Sequence, residues 1–120
     1  MCIRDRLSPE GGGDVVIRPT EAEWRPGDVY WPLNRSHNPS GRMVFRSRIG
    51  ASREPPRTNT HPGYQWFYVL EGAARVILGE QEHLVLEGQV AAFDTMTPHW
   101  IGGFGGPVVI LAIFDPAKRG

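Results

Sequence analysis

From Gln65 onward the chain is cut into short apolar runs: Gln65 to Leu70, Ala73 to Leu78, His83 to Leu86, Gln89 to Phe93, His99 to Ile101 and Val108 to Phe114. Turn signals at Glu71-Gly72, Gly79-Glu80-Gln81, Glu87-Gly88 and Gly102 to Pro107 separate them. Runs of 3 to 7 residues at this spacing are too short for helices and suit an antiparallel sandwich or barrel, in which a strand needs only one apolar face. No stretch keeps a helical period long enough to compete, which argues against a βαβ sheet. The expected fold class is therefore all-β in a single domain, since 120 residues with 40% hydrophobic content supply one compact core.

Upstream the pattern is less regular. Met1 to Arg6 reads as a translated remnant foreign to the fold, and Leu7 to Gly13 as a polar, glycine-rich lead-in, so the barrel is expected over residues 14–120. Asp14 to Arg18 is a strand candidate. Thr20-Glu21-Ala22-Glu23 has capping-box spacing and predicts one helical turn, with Trp24 as its anchor. Pro26-Gly27-Asp28 marks a turn before an extended run at Val29-Tyr30-Trp31 that Pro32 ends or confines to an edge. Residues 34–42 read as loop with His37 exposed, and residues 50–60 as a second loop carrying Arg53, Arg57 and the stiff Pro55-Pro56 pair. Between them Met43 to Ile49 alternates. Met43, Phe45, Ser47 and Ile49 should face inward, and Val44, Arg46 and Arg48 outward.

Charge and cysteine content limit the partners. The formal net charge is zero, so this segment has no bulk positive field with which to grip DNA or an anionic membrane. No apolar run approaches the length that spans a bilayer, the N-terminus has no apolar secretion core, and the single Cys2 forms no internal disulfide. A cytoplasmic location follows as the expectation.

Two turns carry the polar chemistry. His61-Pro62-Gly63 opens the apolar strand that closes on Gly72, and Thr95-Met96-Thr97-Pro98-His99 follows two strands later, so antiparallel folding can return His99 to His61. Asp94 is expected to bond backbone amides of the second turn, and His83 to play a structural part. There is no Ser-His-acid set, reactive Cys, phosphate loop or convincing carboxylate pair, and the reading leans away from an enzyme.

His61 to Gly72, then Gly88 to Phe93, then Pro98-His99 resemble the two motifs of the cupin superfamily. Together, residues 43–114 look most like the C-terminal cupin of Xre-type helix-turn-helix transcriptional regulators. The resemblance implies a double-stranded β-helix, or jelly-roll barrel, acting as the sensor half of a regulator whose DNA-binding half is not in this sequence. It further implies a small-molecule effector and a homodimer, for which the aromatic Tyr30-Trp31 edge is a candidate contact. In metal-binding members three histidines and a glutamate converge on one divalent ion. The matching positions here are Asn59, His61, Gln65 and His99, so a nitrogen donor and the only carboxylate are replaced by amides, which weakens any metal site built on His61, His99 and Gln65. Without metal these four residues would orient a small polar ligand, with Phe67, Val69, Phe93 and Trp100 as lining or flanking core. The alternative from another class is a stand-alone metal-dependent enzyme of isomerase or dioxygenase type.

Overall fold

The computed structural model describes residues 16–25, 27–34, 41–51 and 58–116, with only the backbone of Trp24 and Arg25. The expectations for residues 1–15, Pro26, His37, Arg53, Arg57, the Pro55-Pro56 pair and the Trp24 side chain lie outside what is described.

The described residues form nine strands and no helix. They are β1 (Ala22–Arg25), β2 (Asp28–Pro32), β3 (Met43–Ile49), β4 (Gly63–Glu71), β5 (Ala73–Leu78), β6 (Gln81–Leu86), β7 (Val90–Asp94), β8 (His99–Gly103) and β9 (Val108–Pro116). They pair antiparallel in two sheets, one of six strands in the order β1-β2-β3-β9-β4-β7 and one of three in the order β6-β5-β8. This is the all-β jelly roll. No helix among the described residues is long and apolar enough to cross a membrane.

Strand parity builds the core. On β4, Phe67 and Val69 face the same side as Ala112 and Ile110 opposite them on β9, and Ile49 at the end of β3 joins them. The smaller sheet contributes Ala74, Val76 and Val85, and these residues form one buried cluster. Removing such side chains from water supplies the driving force, roughly 1.5 to 3 kcal/mol for a fully buried Val, Ile or Phe. The β3 alternation holds from Phe45 onward, with Ser47 and Ile49 buried, Phe45 half-buried and Arg46 and Arg48 exposed, but it fades at the start of the strand, where Met43 is exposed and Val44 half-buried. Arg46 lies 4.6 Å over the Trp31 ring on the outer face.

Besides strand ends displaced by one or two residues, as where Glu71 and Gln81, expected in turns, belong to β4 and β6, three local expectations fail. Val16, Ile17 and Arg18 carry no strand, and Val16 and Ile17 are exposed. The expected helical turn at Thr20 to Glu23 is instead the approach to and start of β1, which pairs with β2 from Ala22 opposite Tyr30. A capping box needs an amphipathic helix to follow it, and here the Gly27-Asp28 reversal follows, so the hairpin wins. Asp28 then accepts the Gly50 amide at 2.8 Å, tying that reversal to the end of β3. Gly102 and Gly103, expected in a turn, belong to β8 opposite Arg75 and Ala74. Their role is close approach: a Cβ on Gly102 would enter the Trp100 ring, and one on Gly103 would strike the Gly106 carbonyl.

Ser47 is fully buried, and its hydroxyl has no hydrogen-bond partner among the described residues. A buried hydroxyl without a partner costs about 1 to 3 kcal/mol of desolvation. Ser47→Ala is accordingly expected to leave stability unchanged or raise it by up to about 1 kcal/mol, read from the urea midpoint. A loss of more than about 1 kcal/mol would mean that the hydroxyl is satisfied after all.

Candidate functional site

Backbone pairing is what joins the two histidine turns. The Asn59 amide donates to the His99 carbonyl and the His99 amide to the Asn59 carbonyl, each at 3.0 Å. One step along, the His61 amide donates to the Thr95 carbonyl and the Thr95 amide to the Gly63 carbonyl, again at 3.0 Å each. Paired backbone bonds of this kind leave the loops little freedom. The imidazoles of His61 and His99 consequently meet edge to face with centroids 5.0 Å apart.

Around them lies a cavity of about 390 Å³. Its polar wall is Asn59, His61, Gln65 and His99, and its apolar wall includes Tyr30, Met43, Phe45, Trp100, Ile101 and Phe114. Gln65 faces inward from β4, between Phe93 on β7 and Phe114 on β9. The Phe114 ring stands edge-on to His61 at 5.1 Å, and the Phe93 ring lies 5.3 Å from His99.

Of the residues expected to line or flank a pocket, Asn59, His61, Gln65, His99 and Trp100 share it, whereas Phe67, Val69 and Phe93 do not line it. Phe67 is 0% exposed and Phe93 6%, and both belong to the core cluster beneath. Sequence reasoning missed Tyr30, Met43, Phe45, Ile101 and Phe114 as wall residues. The signal for Met43 and Phe45 was already in the β3 alternation, since both were on its inward face. Tyr30 faces in with Ser47 opposite it, so only Trp31 of the Tyr30-Trp31 pair is turned outward.

The ring nitrogens are constrained. His99 Nδ1 lies 2.9 Å from the Thr97 carbonyl oxygen, which can only accept, so Nδ1 carries a hydrogen and, in the neutral ring, Nε2 is the acceptor. Burial pushes the His61 pKa below its usual value of 6.5, the neighbouring His99 pushes it further, and a backbone bond to Pro62 partly opposes both. The unfolded chain therefore binds the proton more readily than the folded one. The stabilisation is complete above about pH 6.5 and is lost as pH falls from there through the lower folded pKa. Urea midpoints are expected to decline from pH 7.5 to 5, and His61→Asn to flatten that slope; an equal slope in the variant would assign it to other groups.

The nearby acids are turned to other work. Asp94 accepts the Met96 amide at 2.8 Å, shaping the second turn as its position suggested, and Asp115 pairs with Arg42 at 2.6 Å. Among the described residues no group of three or more His, Cys, Asp and Glu could hold a metal ion. Two imidazoles and two neutral amides are a weaker donor set than the three imidazoles and carboxylate of metal-binding members, because a nitrogen ligand and the anionic oxygen that offsets the ion's charge are both replaced. What the arrangement can do is exchange hydrogen bonds, through amide and imidazole groups that both accept and donate, with a molecule seated against aromatic walls. A second hollow of about 600 Å³ lies between β6 and β7, but among the described residues its polar side chains are only His83 and Gln89. The Gln89 side-chain oxygen already accepts the Leu86 amide at 2.8 Å.

An antiparallel jelly roll whose two sheets enclose a histidine-bearing cavity defines the class. The chain belongs to the cupin family: residues 45–114, more than half of it, match the Cupin domain model. Among solved structures it is similar to an HTH_3 family transcriptional regulator from Vibrio cholerae (19% identity, TM-score 0.64), covering 77% of this chain and 52% of the other. KdgF from Halomonas sp. matches at 15% identity and TM-score 0.67, covering 83% of this chain and 88% of that one. Hydroxypropylphosphonic acid epoxidase from S. wedmorenis matches at 19% identity and TM-score 0.69, covering 82% and 58%. This chain thus spans about half the length of the Vibrio regulator. Likeness at these identities establishes the fold alone. No curated protein matches the sequence.

Proposed function

We propose that this domain binds a small-molecule effector in the His61–His99 cavity and serves as the sensor half of a cytoplasmic transcriptional regulator. The observation that carries the reading is the convergence of four polar side chains from two segments, residues 59–65 and His99, on one wall of a mostly apolar cavity, the usual form of a ligand pocket. Its volume lies near the lower end of the range for small-molecule sites. The fold shared with an HTH_3 regulator supports the regulatory context, in which an effector shifts the equilibrium between two arrangements of the attached DNA-binding domains. DNA contact would be made by that other domain and not by this one.

The test is a thermal-shift screen of small metabolites, followed by operator binding of the full-length protein with and without each hit. Hits that stabilise the wild type but not His61→Ala/His99→Ala, and that alter operator affinity, are expected. Hits with no effect on DNA binding would remove the regulatory half of the reading. The metal-dependent enzyme reading predicts stoichiometric metal that disappears in the same double variant, and the donor set weighs against it.

A homodimer belongs to the same reading. The outer face of the larger sheet carries Trp31, Trp66, Tyr68, Leu111 and Ile113, all half-buried in the single chain. Arg48 and Glu71 flank Val109 at one end of that face, so a two-fold axis along β9 would set each Arg48 against the partner copy's acid. Light scattering is expected to give twice the chain mass, and Leu111→Glu to give the single-chain mass.

A further inference from the structure

We propose that the cavity selects a ligand bringing hydrogen-bond donors, a small amine or alcohol on a single-ring or short aliphatic body, and rejects carboxylates and phosphates. The inference rests on the cavity being the ligand site and adds the chemistry of what enters it.

Four features of the walls lead there. First, the Thr97 carbonyl takes up the Nδ1 hydrogen of His99 at 2.9 Å. In the neutral ring the other nitrogen of His99 is thereby an acceptor. Second, the loops that build the polar wall have already used their backbone donors. The amides of Asn59, His61, Thr95 and His99 all donate to backbone carbonyls, and the Met96 amide goes to Asp94. No nest of free N–H groups of the kind that holds anions is left on these residues.

Third, among the described residues no Lys or Arg lines the cavity, so an anion entering it would lose its water without meeting a countercharge. Gln65 and Asn59 can each turn an amide oxygen toward a donor just as readily as an amide nitrogen toward an acceptor. Fourth, Tyr30, Phe45 and Phe114 present aromatic rings, whose faces are electronegative and favour an ammonium group over a carboxylate. The shape agrees with the chemistry: about 390 Å³ suits one ring with a short polar arm.

The test uses three probes that share one ring, benzylamine, benzyl alcohol and benzoate, titrated into the intact protein at pH 8, where a free imidazole is neutral. Binding is followed through the amide and side-chain NMR signals of His61, Gln65 and His99. The amine and the alcohol are expected to saturate these shifts, with benzoate at least roughly tenfold weaker, the factor that corresponds to one modest hydrogen bond. His99→Phe should weaken the amine and alcohol by a similar factor, and His99→Gln, which restores an acceptor, should recover part of it. Benzoate binding as tightly as the amine, with shifts at the same residues, would overturn the donor-ligand inference and leave the small-molecule reading intact. No saturable shift from any of the three up to millimolar concentration would count against both.

Discussion

Gly63→Ala is expected to remove roughly 3 kcal/mol or more of stability and to lower Tm by about 10 to 20 °C. Two costs combine at this position. Its φ of +136° lies in a region that L side chains rarely adopt. An added Cβ would also stand 2.6 Å from the Asp115 carbonyl oxygen and 2.8 Å from the Phe114 ring. The carbonyl belongs to β9, which pairs with β4 along its whole length, so it cannot retreat without opening that pairing. Gly88 provides the control, because it too has positive φ, at +84°, but has nothing within 4 Å of the added carbon. Gly88→Ala should therefore cost only the conformational part, about 1 kcal/mol. Thermal and urea unfolding of the two variants measure the difference. Similar losses in both would show that the β4–β9 contact yields easily.

The same substitution bears on the site, because the Gly63 carbonyl accepts the Thr95 amide, and Thr95 in turn holds the His61 amide. Moving residue 63 would loosen the turn that fixes His61 relative to His99. NMR signals of the two imidazoles should broaden or shift even in whatever fraction of Gly63→Ala stays folded. The glycine thus serves packing and site geometry together.

How much of this was legible in the sequence depends on the length scale over which each feature is decided. The strands from β3 to β9 were readable because period-two alternation and glycine turns are local, and Met43 to Ile49 gave both its span and its inward face. The approach of His61 to His99 was readable because their separation by whole strands fixes parity and direction. At Ala22–Arg25 the local signal misled: the capping-box spacing was present, but a partner strand, β2, lay just beyond the turn. At Gly102 and Gly103 composition misled in another way, since these glycines make room for the Trp100 ring and the Gly106 carbonyl rather than reversing the chain. No residue-by-residue pattern distinguishes a glycine that turns from one that is approached.

The pocket wall was the least legible part, and the reason is depth along a strand. On β4 and β9 every second residue faces inward, so parity alone treats Gln65, Phe67, Ala112 and Phe114 alike. What separates them is whether the smaller sheet covers them. Phe67, two residues further into β4 than Gln65, is covered and packs with core residues of both sheets. Phe114, near the end of β9 and opposite Met43, remains at the open end. The extent of that cover is set by how the two sheets stack, which no strand's own sequence records.

That difference in depth yields the second large effect. Phe67→Ala is expected to cost about 3 to 5 kcal/mol, the range for a fully buried phenylalanine whose cavity cannot collapse. In a domain stabilised by roughly 5 to 15 kcal/mol, that approaches a substantial part of the total. Phe114→Ala removes a ring of the same size from a half-buried position, and should cost only about 1 to 2 kcal/mol, a fraction of the full burial value. Its consequence lies instead at the site, because the ring stands edge-on to His61 at 5.1 Å and walls the cavity. Urea unfolding of both variants, paired with titration of a cavity ligand, separates the two roles. Phe67→Ala should lose stability while its folded fraction keeps ligand affinity, and Phe114→Ala should keep most of its stability and lose about tenfold in affinity. Equal stability losses would mean that the cavity wall and the core are one continuous packing unit, and the division between them drawn from burial would have to be abandoned.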